Sequence, residues 1–268
     1  MRRINEAAIL LATMLSGTVF GQSGSGSTPL PTKLLVRIPV AAMDGTKQYD
    51  PCERPFKIEE NGASQMLASC SPDSRPASIA FLVDVSGSMM PYADLVRETM
   101  RACLALSSKE YEHMLLLSRG KLQRVDPPPD IPGTLADLLS FVESKGRISI
   151  VDHVQATSVQ LAKAKGPRRV LLVFSDGLDN LSDASADEVT KSLLRAQVTL
   201  FSLDMFGPNR LFTESSRHNF TLKKLAERTG GMNFPVRESK ESIRAATANS
   251  EAMRGTSIIS YHYTKTAL

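Results

Sequence analysis

A carboxylate and two hydroxyls stand at alternate positions in residues 84–88, as Asp84, Ser86 and Ser88. A second acid, Asp176, lies in a Ser-Asp-Gly sequence far along the chain. Mg²⁺ typically takes one or two carboxylates, some neutral oxygens and several waters. Aspartate and serine also favour turns without any metal, so the first motif alone is weak. Together the two segments predict a site for Mg²⁺, with Mn²⁺ as a substitute.

The elements that position these acids are two short apolar runs. Residues 79–83 end at Asp84, and residues 170–174 are followed by Ser175 and Asp176. Unbroken apolar runs of this length are typical of strands buried on both faces of a parallel sheet. Ligands of such sheets collect at the carboxyl ends of the strands. A helical pattern follows the first motif, and Pro91 suits its first turn.

From residue 79 onward, strands and helices alternate, which predicts an α/β fold with a doubly wound, mostly parallel sheet. Residues 121–125 are expected to add an antiparallel edge strand. Ser185 and Glu188 have the spacing of a helical capping box. Further strands are expected at 112–118, 198–203 and 257–263, and helices at 135–142, 151–164, 185–194, 222–228 and 243–253.

A small β-module is expected ahead of this domain. Residues 33–42 are β-prone, and an Asn61-Gly62 pair between residues 56–60 and 65–69 is a strong hairpin signal. The sequence therefore predicts a β-module at 33–72 and a larger α/β domain at 73–268.

The Asp-x-Ser-x-Ser motif with the later Ser-Asp-Gly resembles the von Willebrand factor A domain and its metal-ion-dependent adhesion site. Phe56 and the Glu-Asn-Gly at 60–62, ahead of residues 84–88, also resemble the acidobacterial A-domain-related family of secreted proteins. The resemblance implies a Rossmann-like A-domain fold in which the strands ending at Asp84 and Asp176 are neighbours. It also implies that a bound metal accepts a carboxylate from a protein partner.

The third loop of the site departs from the family pattern. The family usually has a threonine in a Gly-Gly-Thr or Gly-Arg-Thr stretch, whereas this chain reads Gly146, Arg147, Ile148 and Ser149. Ile148 offers no oxygen, and Ser149 is shifted by one residue. We expect weakened Mg²⁺ binding, with a metal-free, degenerate site as the alternative.

The amino terminus indicates export. A basic tip and an apolar stretch predict a signal peptide at 1–21, followed by a flexible Gly/Ser/Pro linker at 22–32. A retained membrane anchor is the alternative. Removal of the signal would leave no membrane span and a secreted, periplasmic or cell-envelope protein. Export permits a Cys52–Cys70 disulfide with Cys103 free and buried, although three free thiols are nearly as compatible with the sequence.

Composition and motifs narrow the function. The chain has 268 residues, is 42% hydrophobic and 22% charged, and carries a net charge of +4. It shows no basic run interleaved with aromatic residues, so nucleic acid is not indicated. Ser86 lacks the Gly-x-Ser-x-Gly setting of a hydrolase, and no P-loop is present. The sequence therefore predicts a non-enzymatic, adhesion-type protein-binding module, with a metal-free structural or assembly module as the alternative.

Overall fold

A computed structural model describes residues 33–38, 42–44, 47–49, 52, 57–60, 63–126, 136, 139, 148–179, 181–205, 215–254 and 257–262. The chain divides into two compact units. Unit 1 comprises Met1–Asp73 and Gly255–Leu268, and unit 2 comprises Ser74–Arg254. The expected signal peptide at 1–21, the linker at 22–32 and most of the helix at 135–142 lie outside the described residues.

Unit 1 is built of β-strands. They are β1 Lys33–Ile38, β2 Ala42–Asp44, β3 Lys47–Tyr49, β4 Ile58–Glu60, β5 Ala63–Pro72 and β12 Ser257–His262. Four of them form a sheet in the order β1-β12-β5-β4, while β2 pairs with β3. The antiparallel pairing of β4 with β5 confirms the hairpin expected around Asn61-Gly62.

The last strand, β12, differs from the sequence prediction, which assigned it to the domain at 73–268. In the structure β12 pairs antiparallel with both β1 and β5, and it belongs to unit 1. The physical reason is burial, because Ile259 and Tyr261 form a hydrophobic cluster with Ile58, against which Cys70 packs. Unit 2 is therefore inserted between two paired strands of unit 1.

A disulfide joins Cys52 to Cys70 across a sequence separation of 18, with their Cα atoms 5.5 Å apart. Cys103 is free and buried. Both observations confirm the pairing expected from the sequence, and the bridge ties β5 to the segment before β4.

Unit 2 contains a six-stranded sheet in the described part of the chain, in the order β11-β10-β9-β6-β7-β8. Its strands are β6 Ala77–Asp84, β7 Glu112–Arg119, β8 Lys121–Val125, β9 Arg168–Ser175, β10 Val198–Asp204 and β11 Asn233–Pro235. Its helices are α1 Ala93–Ala105, α2 Ile150–Leu161, α3 Ala186–Arg195, α4 Ser215–Arg228 and α5 Ser239–Arg254, with a 3₁₀ helix at Gly87–Tyr92. Only β8 is antiparallel to its neighbour, so the expected doubly wound, mostly parallel sheet is confirmed.

The sheet of unit 2 is buried on both faces, as its apolar runs predict. Every residue of β6 is buried. Phe81 and Leu82, adjacent in sequence, belong to different hydrophobic clusters. Since side chains alternate along a strand, Asp84 projects on the same face as Leu82. The helix α2 contributes Ile150 and Val154 to the cluster on that face.

The described part of the chain contains no helix that is both long enough and apolar enough to cross a bilayer.

Candidate functional site

The two strands that carry the predicted acids lie side by side. β6 and β9 are parallel neighbours, and Val83 is the register partner of Phe174. One residue further on, the Ser175 hydroxyl donates a 2.7 Å hydrogen bond to Oδ2 of Asp84. The structure therefore brings Asp84 and the Ser-Asp-Gly loop together at the carboxyl edge of the sheet, where the sequence predicted them.

The loop after Asp84 folds back on the strand end. The Ser86 N–H donates to Oδ1 of Asp84 at 2.9 Å, and the Ser86 and Ser88 hydroxyl oxygens lie 3.0 Å apart. The 3₁₀ helix begins at Gly87 and contains Pro91, so α1 starts only at Ala93. The short helix keeps the two serines together on one side of the loop.

The second loop turns sharply after Asp176. Gly177 has a φ of 73°, a left-handed conformation that glycine adopts without strain. Its N–H donates to the Ser175 hydroxyl at 3.0 Å, and the Leu178 N–H donates to Oδ1 of Asp176 at 3.1 Å. Ser175 is thus bonded to both loops, a role that its place at the end of an apolar run did not reveal.

The site disfavours negative charge in the absence of a cation. Burial raises the pKa of Asp84 from 3.8 to about 6, against the hydrogen bonds from Ser175 and Ser86, and the nearby Asp176 carboxylate adds to the rise. Both acids are buried. Two carboxylates held out of water and close together gain most from a positive charge placed between them.

The donor set fits Mg²⁺. In an octahedron with metal–oxygen distances of 2.0–2.1 Å, neighbouring ligands lie about 2.9 Å apart, and the serine hydroxyl oxygens are separated by 3.0 Å. Asp84 accepts hydrogen bonds from the Ser86 N–H, the Ser175 hydroxyl and the Ser86 side chain, and a carboxylate has about four lone-pair sites, so capacity for a metal remains. Among the described residues no three His, Cys, Asp or Glu side chains are grouped for a metal. The candidate set is therefore two carboxylates and two hydroxyls, Asp84, Asp176, Ser86 and Ser88.

Ile148 stands where the family pattern would place a threonine. It is 1% exposed and belongs to the hydrophobic cluster that also contains Leu82 and Val173. These two residues lie on strands β6 and β9, each two positions before the polar residue that ends its strand. The third loop therefore adds to the core at this position and supplies no oxygen.

The start of α2 is held against the second loop by hydrogen bonds in both directions. Asp179 Oδ2 and the Ser182 hydroxyl accept from the Val151 N–H, both at 3.1 Å. In return, Asp152 accepts from the N–H groups of Asp183 and Ala184 at 3.2 and 2.9 Å. Helix N-termini leave unpaired N–H groups, which these acceptors satisfy.

A histidine lies next to the site on the other side of Asp84. Ser118 is the register partner of Asp84, and its hydroxyl is 2.6 Å from Nδ1 of His153. The Val85 N–H donates to the Ser118 carbonyl at 3.2 Å. Burial lowers the pKa of His153, which favours the neutral ring. His153 is therefore held by an ordinary hydrogen bond to Ser118.

No family model and no curated protein matches the sequence. Solved structures that resemble the chain include a von Willebrand factor type A protein from Catenulispora acidiphila, with a TM-score of 0.53 and 12% identity over 74% of this chain and 52% of that one. An aerotolerance-related membrane protein from Bacteroides fragilis NCTC 9343 has a TM-score of 0.51 and 13% identity, over 66% of this chain and 100% of that one. The open conformation of the pilus adhesin SpaC from Lactobacillus rhamnosus GG has a TM-score of 0.52 and 11% identity, over 69% of this chain and 31% of that one.

This chain therefore spans about half of the Catenulispora acidiphila protein and about a third of the adhesin. At such identities the likeness concerns the fold. The fold is that of the von Willebrand factor A domain, as the two sequence motifs indicated.

Proposed function

We propose that this chain is a non-enzymatic, adhesion-type protein-binding module that acts through a metal site at Asp84, Ser86, Ser88 and Asp176. The spacing of the two serine hydroxyls is the observation that carries the proposal, because 3.0 Å is the edge of a Mg²⁺ octahedron. The buried, adjacent carboxylates add the charge that such a site needs.

In this function the residues bind and orient; they perform no covalent chemistry. Asp84 and Asp176 supply the charge, Ser86 and Ser88 supply neutral oxygens, and Ser175 holds the two loops in register through its bond to Asp84. A bound Mg²⁺ would supply an electrophilic position for a carboxylate of a protein partner. A secreted or cell-envelope location, following removal of residues 1–21, is part of the same proposal.

The second candidate function is a metal-free structural or assembly module. Ile148 favours it, because a buried apolar side chain occupies the position of an expected ligand. The two candidates differ in one property, which is whether the protein binds Mg²⁺ at all.

Calorimetric titration with Mg²⁺ and Mn²⁺ separates them, using the wild type, Ile148→Thr and a control, Ile148→Val. Ile148→Thr adds an oxygen and should tighten binding, while the buried hydroxyl costs about 1–3 kcal/mol of stability. Ile148→Val removes a methylene, costs about 0.5–1.5 kcal/mol, and should leave the affinity unchanged. Wild-type protein that is silent while Ile148→Thr binds would establish the metal-free module. Silence of both would end the metal-site proposal.

The partner class is tested by capture from an envelope extract with and without EDTA. A protein retained only with Mg²⁺, and lost with Asp84→Asn, supports metal-dependent adhesion. If the wild type and Asp84→Asn retain the captured protein equally well in EDTA, metal-dependent adhesion is contradicted.

A further inference from the structure

A groove runs between helices α2 and α3, on the flank of unit 2. Its volume is about 430 Å³. Gln155 and Val159 of α2 line one wall, and Glu188, Lys191 and Arg195 of α3 line the other. The Ser158 and Ser192 hydroxyls join at 2.7 Å between the two helices. The Ser158 hydroxyl donates to the Gln155 carbonyl at 2.7 Å, so it accepts from the Ser192 hydroxyl. Both hydroxyls are engaged, and the groove's binding capacity therefore resides in the charged and apolar groups of its walls.

The α3 wall carries two cations that are available to a ligand. Lys191 and Arg195 are four residues apart, which places their side chains on one face of the helix about 6 Å apart. Within the described part of the chain neither forms an ion pair. The acid at the other end, Glu188, is held by the capping box, where its Oε2 accepts from the Ser185 N–H at 2.8 Å.

The α2 wall is apolar where it faces these cations. Val159, in the last turn of α2, is 52% exposed, whereas Val151 and Val154 of the same helix are buried. Together the walls present two positive charges at a helical spacing, next to an uncovered aliphatic side chain. A polyanion would satisfy the two positive charges but would leave Val159 in water.

We propose that the α2–α3 groove is a second protein-docking surface, and that its occupant is an amphipathic helix of a partner protein with two carboxylates four residues apart and an aliphatic side chain on the same face. The carboxylates pair with Lys191 and Arg195, and the aliphatic group covers Val159. Binding here requires no metal, since none of the candidate metal ligands lines the groove.

The test uses an alanine-rich helical peptide with two glutamates four residues apart and a leucine on their face, titrated into the full chain in EDTA and followed by fluorescence anisotropy. A peptide with glutamines in place of the glutamates is the matched probe. Three variants of the protein are compared: Lys191→Glu with Arg195→Glu, Val159→Asp, and the control Lys109→Glu, which changes an exposed lysine outside the groove.

The acidic peptide should bind, and its affinity should fall at least tenfold for the double charge reversal and for Val159→Asp, but not for Lys109→Glu. The glutamine peptide should bind at least tenfold more weakly. Absence of peptide binding, or equal binding by the double variant, overturns the proposal. Binding of a sulfated polysaccharide that Val159→Asp leaves unchanged, with no peptide binding, assigns the groove to polyanions instead. Because EDTA is present throughout, failure here leaves the metal-site proposal intact.

Discussion

Replacing Asp84 with asparagine isolates the charge of the candidate site from its shape. Asp84 accepts from the Ser86 N–H and from the Ser175 hydroxyl. An asparagine can keep the first bond through its carbonyl oxygen. Its amide group can donate to the Ser175 oxygen, because a hydroxyl has two lone pairs and the Gly177 N–H uses only one. The variant therefore retains both contacts and removes the buried negative charge.

The magnitude of the effect follows from the pKa of Asp84. Burial raises this pKa from 3.8 to about 6, a shift of about two units. Each unit corresponds to about 1.4 kcal/mol, so the linked free energy is about 3 kcal/mol. Since the folded-state pKa is raised, the neutral carboxyl's contribution to stability is fully present below pH 3.8 and is lost as the pH rises through about 6. The Asp84→Asn side chain does not ionise, so the variant does not lose this stability as the pH rises.

The assay is urea denaturation of the metal-free protein in EDTA, repeated between about pH 4 and pH 7.5, for the wild type, Asp84→Asn and a control, Glu251→Gln, at an exposed acid. The stability of Asp84→Asn minus that of the wild type should grow by about 2–3 kcal/mol across this range, since pH 4 is already slightly above the unfolded-state pKa of 3.8. The stability of Glu251→Gln minus that of the wild type should not change with pH. Millimolar Mg²⁺ should then stabilise the wild type at neutral pH but not Asp84→Asn. A difference that does not change with pH would refute the reasoning about the buried charge.

Two further predictions concern stability. Cys70→Ser opens the bridge to Cys52 and should destabilise unit 1 by about 3 kcal/mol, because the closed loop restricts the unfolded chain. Proteolysis within β5 under native conditions should therefore accelerate. An unchanged rate of proteolysis would contradict the prediction. Arg168→Met keeps a long side chain but removes the guanidinium that donates to the Arg75 carbonyl at 3.2 Å and to the Met253 carbonyl, so unit 2 should lose about 2–4 kcal/mol in urea denaturation. A loss below about 0.5 kcal/mol would show that these buried bonds are dispensable.

Local patterns were sufficient where burial and chain direction alone decide the structure. The apolar runs before Asp84 and Asp176 indicated buried parallel strands. The resemblance to the A domain implied that these two strands are neighbours, and the structure shows them side by side. The capping box at Ser185 and Glu188 formed as expected. The individual strands and the capping box depend on residues close together in the sequence, so they can be predicted from it.

Tertiary partners could not be read in the same way. The alternation of β12 predicts a half-buried strand but does not state which sheet receives it, and the choice depends on Ile259 and Tyr261 meeting Ile58. Similarly, Ser175 and Asp179 are ordinary polar residues in sequence. Their roles depend on contacts with Asp84, 91 residues away, and with Val151, 28 residues away.

The insertion of unit 2 between β5 and β12 determines how the chain would respond to mechanical tension. Lys33 is the register partner of His262, so the segments before β1 and after β12 leave the sheet at the same end. A force that pulls them apart would peel β1 from β12 one residue pair at a time, beginning at that end. The load would then pass through the Cys52–Cys70 bridge into β5, which remains paired with β12. Pro72 and Ser257, the points from which the chain leads to and from unit 2, are themselves partners in that pairing. Unit 2 would therefore carry no load until β5 and β12 separate, so the candidate binding surfaces would stay folded while unit 1 yields.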